Sequence, residues 1–411
     1  MLWQNIRLVS FEMTDAIMTD SSTASTASTA STASTASTAS TAIASTATAA
    51  INAFTLGQHG HFTRKGAKEY NEDASHSFTL FGEAPAPSTI VVLIVADGHG
   101  KHGEGKLCAD FCVSEASSWV HSLSTQDWST INWAQKGSEL TNYLHNEFRN
   151  VLVQKNGQKK GRVIADGIVC DKVGEFLSYV HSGSTFSITL TFPLGDIIRT
   201  VAIQVGDSDI YINGEQVACD HSPLNPEEWQ RIQSIPLPLR PRCVYDAHAT
   251  LDVFLPDGTF NPKHYDTKTN AWKWDSGIRP NCAKYTPGAY LRTFGLAQTM
   301  QLACTRAIGD YYGHITGLTC EPVVFVKDTM ECPHITIGSD GAFDTIDSKD
   351  KWVFQAGGIY NVHIDLNDLN EKTIMDAVEA RVNILYKLYT EKFGAKYVDD
   401  VSLACLHPRT F

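Results

Sequence analysis

The chain lacks the cysteine patterns that mark two kinds of reactive site. Its ten cysteines include no C-x-x-C pair, the spacing used by many structural zinc sites and thiol–disulfide enzymes. No cysteine is followed by arginine in a C-x5-R pattern, so the thiol-phosphate chemistry of such a loop is excluded. Scattered cysteines argue against a disulfide framework and favour a reducing intracellular location, cytoplasmic or nuclear.

The chain also lacks an excess of positive charge. It has 33 lysines and arginines against 45 aspartates and glutamates, a net charge of -12. Because phosphate backbones require basic surfaces, we expect no nucleic-acid partner. One basic stretch, Lys155 to Arg162, is interpreted as a solvated loop.

The N-terminal region has no features of a secretory signal or a membrane span. Residues 1–20 carry more acidic than basic side chains, the wrong charge order for a signal peptide. Residues 22–42 are consecutive Ser-Thr-Ala units, too polar to cross a bilayer and too poor in apolar surface to offset chain entropy. We predict a disordered low-complexity tail over 1–50, a folded domain over 51–411, no membrane partner and a monomer.

What the chain does contain is a set of strands that end on aspartates. The apolar run from Ile90 to Ala96 predicts a buried strand, and Asp97 follows it directly. Similar runs lead to Asp207 and Asp340. A single strand-end aspartate commonly caps backbone amides in a turn. Several gathered together cost several kcal/mol unless a cation neutralises them, so the set indicates a divalent metal site.

Hydrophobic periodicity predicts the fold class. Alternation over Phe186 to Phe192 is typical of a half-buried strand in an antiparallel sheet. Apolar stripes predict helices within residues 105–123, 140–152 and 374–388. Because helices do not alternate one for one with strands, we expect an α+β fold with antiparallel sheets covered by helices. Periodicity fails over about 233–301, which we interpret as an insertion or lid.

Short motifs with chemically useful residues recur along the chain. In order they are Asn71-Glu72-Asp73, Asp97-Gly98-His99-Gly100, Gly183-Ser184-Thr185, Gly206-Asp207-Ser208, Thr305 to Asp310, Ser339 to Asp344, and Asp399-Asp400. This series resembles the metal-dependent protein serine/threonine phosphatases of type 2C, over roughly residues 58–407. The segment Asp220 to Pro223, followed by Pro226, Glu227, Arg231 and Ile232, resembles the same family.

The resemblance implies a fold, a metal centre and residue roles. The fold would be an α-β-β-α sandwich of two antiparallel sheets flanked by helices, with two manganese or magnesium ions bound at one end. The implied metal ligands are Glu72, Asp97, the Gly98 carbonyl, Asp340 and Asp399, with Asp73 behind them. Asp207 and Asp344 match a weaker third metal position of some relatives. His99 matches the histidine proposed to protonate the leaving alcohol.

The chemistry of these residues agrees with that resemblance. Oxygen-only ligands select magnesium or manganese over zinc or copper. Two such ions can ionise a bridging water and clamp phosphoryl oxygens. We therefore expect hydrolysis of phosphoserine and phosphothreonine in phosphoproteins by a water or hydroxide bridging two metals, with Asp97 bridging both ions. His99 has an ordinary pKa near neutrality, which suits a proton donor, although it could also be a turn histidine bonded locally.

Two positions depart from the family pattern. Lys68 stands where relatives carry a phosphate-gripping arginine, and an ammonium offers a point charge rather than a bidentate fork. Arg64 is a possible substitute or a solvent-facing residue. Asp400 stands where the family usually has asparagine, and it either alters metal affinity or faces solvent.

Two other functions stay open. A type 2C-like binding or scaffold protein that has lost catalysis is favoured by Lys68 alone. A P-loop-like NTPase is suggested by Gly100 to Lys106, which matches G-x-x-x-x-G-K. That loop requires serine or threonine next, and the chain has Leu107.

Overall fold

The structure is a computed structural model that describes residues 56–100, 104–156, 159–165, 168–173, 176–217, 221–236, 240–245, 252–261, 265–266, 271–272, 289–292, 301–343, 373–395 and 398–408. The predicted tail over 1–50 and the candidate ligand Asp344 lie outside these residues. Both stay predictions.

Two antiparallel sheets form the centre of the fold. In spatial order, the larger contains β17 (Ile308–Gly309), β7 (Ser182–Ser184), β3 (Ile90–Gly100), β8 (Phe186–Leu194), β9 (Ile197–Val205) and β18 (Val323–Thr329), with β2 (Asp73–Leu80) also paired to β3. The smaller contains β1 (Gln58–Arg64), β20 (Val401–His407), β19 (Ile335–Gly338), β10 (Asp209–Ile212) and β11 (Glu215–Gln216).

Helices cover the outer face of each sheet. The described helices are α1 (Glu104–Ser122), α2 (Trp133–Asn156), α3 (Pro226–Gln233), α4 (Tyr311–Ile315), α5 (Asp340–Phe343) and α6 (Ile374–Phe393). Apolar residues of α1 and α2 share one core with the larger sheet, and those of α6 share another with the smaller sheet. The predicted α-β-β-α sandwich is therefore confirmed.

The apolar run in β3 is buried on both faces because it lies in an inner layer of the sandwich. Val92 and Ile94 pack toward the helices, whereas Leu93 and Val95 pack in the core between the sheets. Each such side chain contributes roughly 1.5–3 kcal/mol when fully buried. The strand also continues through Gly100 rather than ending at Ala96, since its last residues pair with β7.

The prediction that β8 is half-buried is wrong. All residues from Phe186 to Phe192 are buried. The face that carries Ser187 and Thr191 lies toward the core between the sheets, and the hydroxyls of these two residues find partners there. Ser187 Oγ donates to the Ser208 carbonyl at 2.7 Å, and the hydroxyls of Thr191 and Thr200 lie 3.2 Å apart. The alternation of apolar and hydroxyl side chains thus distinguished the two faces of β8, but it did not show that both faces are buried.

The predicted helices are present, with two errors about their cores. The apolar stripes that predict α2 and α6 include Tyr143 and Leu388 as core residues, but Tyr143 is 43% exposed and Leu388 is 38% exposed.

The interpretation of Lys155 to Arg162 as a solvated loop is wrong for Arg162. This residue begins β4 (Arg162–Ala165), which forms a three-stranded sheet with β5 (Ile168–Val173) and β6 (Phe176–Tyr179). Its side chain is 7% exposed and forms ion pairs with Glu104 and Asp171.

The described parts of 233–301 contain small elements. They are a three-stranded sheet of β12 (Arg242–Tyr245), β15 (Ala289–Arg292) and β16 (Gln301–Leu302), and the pair β13 (Tyr265–Asp266) and β14 (Ala271–Trp272). Cys243 and Phe254 are buried in one cluster with Ile232 and Leu318. An insertion or lid here stays a prediction. Among the described helices, none combines the length and apolar character needed to cross a membrane.

Candidate active site

Three acidic residues meet at one end of the larger sheet. Strand β2 begins at Asp73, which is the register partner of Asp97 on antiparallel β3. The Gly98 amide donates to the Glu72 carbonyl at 3.1 Å. The pairing of these two neighbouring strands therefore brings Glu72, Asp73 and Asp97 together at one end of the sheet.

The smaller sheet gathers further acidic residues at the adjoining ends of β19 and β20. Asp399 and Asp400 precede β20, and Asp340 follows β19, its antiparallel neighbour. The two segments approach so closely that a Cβ at Gly341 would lie 2.0 Å from the Asp400 carbonyl oxygen. Any side chain at position 341 would separate them.

Lys68 joins the acidic groups of the two sheets. Its Nζ lies 2.8 Å from Asp399 Oδ1, 3.4 Å from Glu72 Oε2 and 3.9 Å from Asp400 Oδ2. Burial lowers the pKa of Lys68, but the charges of Asp399 and Asp97 outweigh burial and raise the pKa above its usual range. One ammonium group is thus in contact with carboxylates from both sheets.

Asp97 lies at the centre of this negative charge. Burial raises its pKa well above the ordinary value, and the charges of Asp73, Asp340 and Asp399 raise it further. Burial, with the charge of Asp400, also raises the pKa of the fully buried Asp73 to about 7. Carboxylates at a protein surface stay ionised at neutral pH without help. These carboxylates are buried and repel one another, so they need cations nearby to stay ionised. Its oxygen donors fit magnesium or manganese.

Gly98 has a steric role that does not depend on its carbonyl. A Cβ at this position would lie 2.3 Å from the Gly105 carbonyl oxygen and 2.5 Å from that of Glu72. Gly105 is equally confined, since its Cβ would lie 2.9 Å from Glu72 Oε1. The two glycines let the end of β3, the start of α1 and the Glu72 side chain come together.

His99 is paired with Asp310, a residue absent from the predicted site. Its Nε2 hydrogen-bonds to Asp310 Oδ2. Burial lowers the pKa of His99, but the charge and hydrogen bond of Asp310 raise it more, and the pKa lies above its usual value. The partner lies 211 positions away, so the alternative of a locally bonded turn histidine is wrong. Asp310 directly follows the short strand β17. An aspartate after a strand is the same sequence feature that pointed to Asp97.

The backbone around this pair leaves no room for larger residues. Asp310 has φ 45°, in the left-handed region, and its amide donates to the Ser182 carbonyl at 2.9 Å. A Cβ at Gly183 would lie 2.1 Å from Asp310 Oδ2 and 2.7 Å from His99 Nε2. Gly183 of the Gly-Ser-Thr motif therefore provides space for the His99–Asp310 pair.

Glu228 is a second residue that the sequence interpretation missed. Its Oε2 accepts from Thr305 Oγ1 at 2.7 Å and from Arg231 Nη2 at 2.9 Å, and its Oε1 accepts from Arg306 Nε at 3.0 Å. Burial raises its pKa, but the arginines and Thr305 lower it more, to about 2. The family resemblance points to Glu227, which is exposed in the first turn of α3. The sequence did offer one indication of Glu228: it precedes Arg231 by three residues, a spacing that allows an ion pair on a helix.

The structure decides the open points about Asp400 and Arg64. Asp400 is buried, and its two oxygens accept from the amides of Gly66 at 2.6 Å and Glu72 at 2.8 Å, so the solvent-facing alternative is wrong. Arg64 packs on α6, with its Cζ 3.8 Å from the ring centroid of Tyr386. It also hydrogen-bonds to Asn383, and these contacts leave Lys68 as the cation of the carboxylate cluster.

Asp207 lies within electrostatic reach of the same site. It follows β9 and is half-buried. Its charge raises the pKa of His99 and adds to the burial that raises the pKa of Cys304. Of the predicted metal-site residues in the described part of the chain, the structure thus brings together Glu72, Asp73, Asp97, Gly98, Asp340, Asp399 and Asp207.

Known structures share this fold. No family model matches the chain, and the comparison with curated proteins found no match. The crystal structure of serine-threonine phosphatase 2C from Toxoplasma gondii is 16% identical with a TM-score of 0.53, over 86% of this chain and 95% of that chain. A C. elegans sex determining protein is 17% identical with a TM-score of 0.51, over 87% of this chain and 66% of that chain. The fold is that of the type 2C serine/threonine phosphatases.

Proposed function

We propose that the protein is a metal-dependent phosphatase that hydrolyses phosphoserine and phosphothreonine in phosphoproteins. The observation that carries this proposal is the contact of Lys68 with carboxylates from both sheets, in a fold of the type 2C phosphatases. So much negative charge in one place is costly unless cations bind there. A metal-binding catalytic site for phosphate chemistry would explain why the protein keeps these charges together.

Two manganese or magnesium ions would be held by oxygen donors. The proposed ligands are Glu72, Asp97, the Gly98 carbonyl, Asp340 and Asp399, with Asp73 supporting them and with Asp207 and Asp344 holding a weaker third ion. When bound, such ions lower the pKa of a water and hold the phosphoryl oxygens.

His99 would protonate the departing serine or threonine oxygen. Its hydrogen bond to Asp310 engages Nε2, which leaves Nδ1–H as the donor. Because Asp310 raises the pKa of His99, the ring carries both protons to a higher pH than a free histidine does. Lys68 would attract the substrate phosphate, with a weaker grip than a bidentate arginine.

A catalytically impaired binding or scaffold protein is the second candidate. It is favoured by the same lysine, because the Lys68 ammonium is 2.8 Å from Asp399 and acts as an internal counter-ion. An ammonium in that place competes with metal for the carboxylates. A P-loop-like NTPase has less support, since Lys106 forms an ion pair with Asp110 on α1 and residues 101–103 lie outside the described residues.

The test is hydrolysis of p-nitrophenyl phosphate and of phosphoserine and phosphothreonine peptides, with manganese or with EDTA. We expect turnover only with the metal, and none on a phosphotyrosine peptide of the same sequence. An absence of metal-dependent turnover would favour the scaffold function. We also propose that the protein acts as an intracellular monomer without nucleic-acid or membrane partners, which gel filtration and localisation of a tagged chain would test.

A further inference from the structure

A cluster of metal-binding side chains lies outside the candidate active site. It consists of His145 on α2, His314 on α4 and Cys320, which precedes β18. One ring nitrogen from each histidine and the Cys320 sulfur all lie within 4.8 Å of one another. The two rings are in contact, with their centroids 4.1 Å apart and their planes tilted by 34°. Three segments distant in sequence thus bring together two imidazoles and a thiol.

One ring nitrogen of His314 is held by a backbone carbonyl, as is usual for metal-binding histidines. Its Nε2 lies 3.1 Å from the Ala307 carbonyl oxygen, so Nε2 carries the proton and Nδ1 presents its lone pair. A carbonyl on the second nitrogen is the usual partner of a metal-ligating histidine. Burial also lowers the pKa of His314 to about 4 and that of His145 to about 3, and the neutral ring is the metal-binding form.

His145 requires one rearrangement. Its Nδ1 accepts from the Gly309 amide at 3.3 Å, at the long end for such a bond. Binding through Nε2 would transfer the ring proton to Nδ1 and release the amide. The backbone at His145 is held in place, because the Tyr311 hydroxyl donates to the His145 carbonyl at 2.8 Å.

Cys320 faces a polar side chain that could complete the coordination. Its Sγ lies 3.6 Å from Asn142 Oδ1, a weak contact for a buried thiol. The amide nitrogen of Asn142 donates to the Ser138 carbonyl at 2.8 Å, which turns Oδ1 toward the sulfur. Asn142 precedes His145 by three residues on α2 and is exposed, so an ion can enter from solvent along this side of the helix.

We propose that His145, His314 and Cys320 form a zinc site, with Asn142 Oδ1 or a water as fourth ligand. Zinc accepts nitrogen and thiolate ligands in a tetrahedron, with ligand atoms roughly 3.3–3.7 Å apart. The side chains therefore close by about 1 Å from their present separations. The thiol proton passes to solvent when the sulfur binds the ion. Mixed nitrogen and sulfur donors distinguish this site from the all-oxygen cluster around Asp97.

The proposed site is linked to the backbone that carries Asp310. The His314 amide donates to the Asp310 carbonyl at 3.3 Å, and Gly309 contacts the His145 ring. An ion bound here would join α2 to α4 behind the His99–Asp310 pair. Zinc would consequently raise the unfolding temperature of the protein.

The test is a zinc titration of metal-free protein carrying Asp97→Ala and Asp340→Ala, in the presence of excess magnesium. We expect one bound zinc per chain. Cobalt used as a probe should show a thiolate charge-transfer band and the intense visible absorption of tetrahedral coordination. In this background, Cys320→Ser should weaken zinc binding by at least about tenfold. The matched control, Cys332→Ser, replaces a half-buried thiol outside the cluster and should leave the affinity within about twofold.

The absence of a stoichiometric zinc, or equal affinities in the two serine variants, would overturn the proposal. If circular dichroism shows that Cys320→Ser does not fold, His314→Gln provides the same comparison, and unchanged binding in that variant would likewise refute the site. The titration does not depend on turnover. Failure of the phosphatase proposal would appear separately, as missing manganese-dependent hydrolysis by the unmodified protein.

Discussion

Replacing Glu228 with glutamine should destabilise the protein, because one buried carboxylate is shared by two arginines. Its side chain is 2% exposed and accepts hydrogen bonds from Arg231, Arg306 and Thr305. Glutamine preserves the shape but removes the charge, and its NH2 group faces donors instead of accepting from them. Two guanidinium groups would then remain without their carboxylate partner.

The size of the effect follows from the pKa. The Glu228 pKa falls from 4.5 to about 2 in the folded protein, which corresponds to about 3 kcal/mol in favour of the charged form. Breaking a buried ion pair by removing one partner costs about 3–5 kcal/mol. Because the folded pKa is the lower one, this stabilisation is present above pH 4.5 and is lost as the pH falls toward 2.

Urea unfolding, followed by tryptophan fluorescence and circular dichroism, measures this loss. At pH 7 the free energy of unfolding of Glu228→Gln should be about 3 kcal/mol below that of the unmodified protein, and the difference should shrink at pH 3. The matched control is Glu227→Gln. It makes the same chemical change one residue away at an exposed position in the first turn of α3, and should cost less than about 1 kcal/mol.

Two results would refute the reasoning. Equal losses in the two glutamine variants would mean that burial and the arginine partners add nothing to the effect of charge near a helix start. A loss in Glu228→Gln that is the same at pH 7 and pH 3 would mean that the stabilisation does not depend on the ionised carboxylate.

Further variants test the proposed catalytic site. Asp97→Ala and Asp340→Ala should each abolish manganese-dependent turnover while circular dichroism stays unchanged, and normal activity in either would contradict the ligand assignment. His99→Ala should slow phosphopeptide hydrolysis by about 10²-fold or more, and p-nitrophenyl phosphate hydrolysis much less, because nitrophenolate leaves without a proton. Asp310→Asn should show the same substrate dependence, and equal losses on both substrates would count against the proton-donor role. Lys68→Arg should lower the KM because a guanidinium binds phosphate through two hydrogen bonds, and an unchanged KM would point to another phosphate ligand.

Local sequence pattern was sufficient for the strands and for the acidic residues at their ends. The apolar run before Asp97 and the shorter one before Asp340 specify buried strands, and each run shows which aspartate comes after the buried residues, although β3 itself continues through Gly100. The sandwich that the structure contains was implied by the resemblance of the ordered motifs to the type 2C phosphatases. The strands and the aspartates that follow their apolar runs depend on residues that are neighbours in the chain, so a single sequence can report them.

Contacts between segments that are distant in the chain could not be predicted from the local sequence pattern. The pairing of His99 with Asp310, the choice of Glu228 over Glu227 and the cover on both faces of β8 all depend on which elements pack together. Periodicity tells which side of an element is apolar, whereas burial, hydrogen-bond partners and pKa depend on what lies against that side. The sequence by itself determined the strands and the acidic residues they deliver; only the tertiary structure decided their partners, because those partners approach through space from far along the chain.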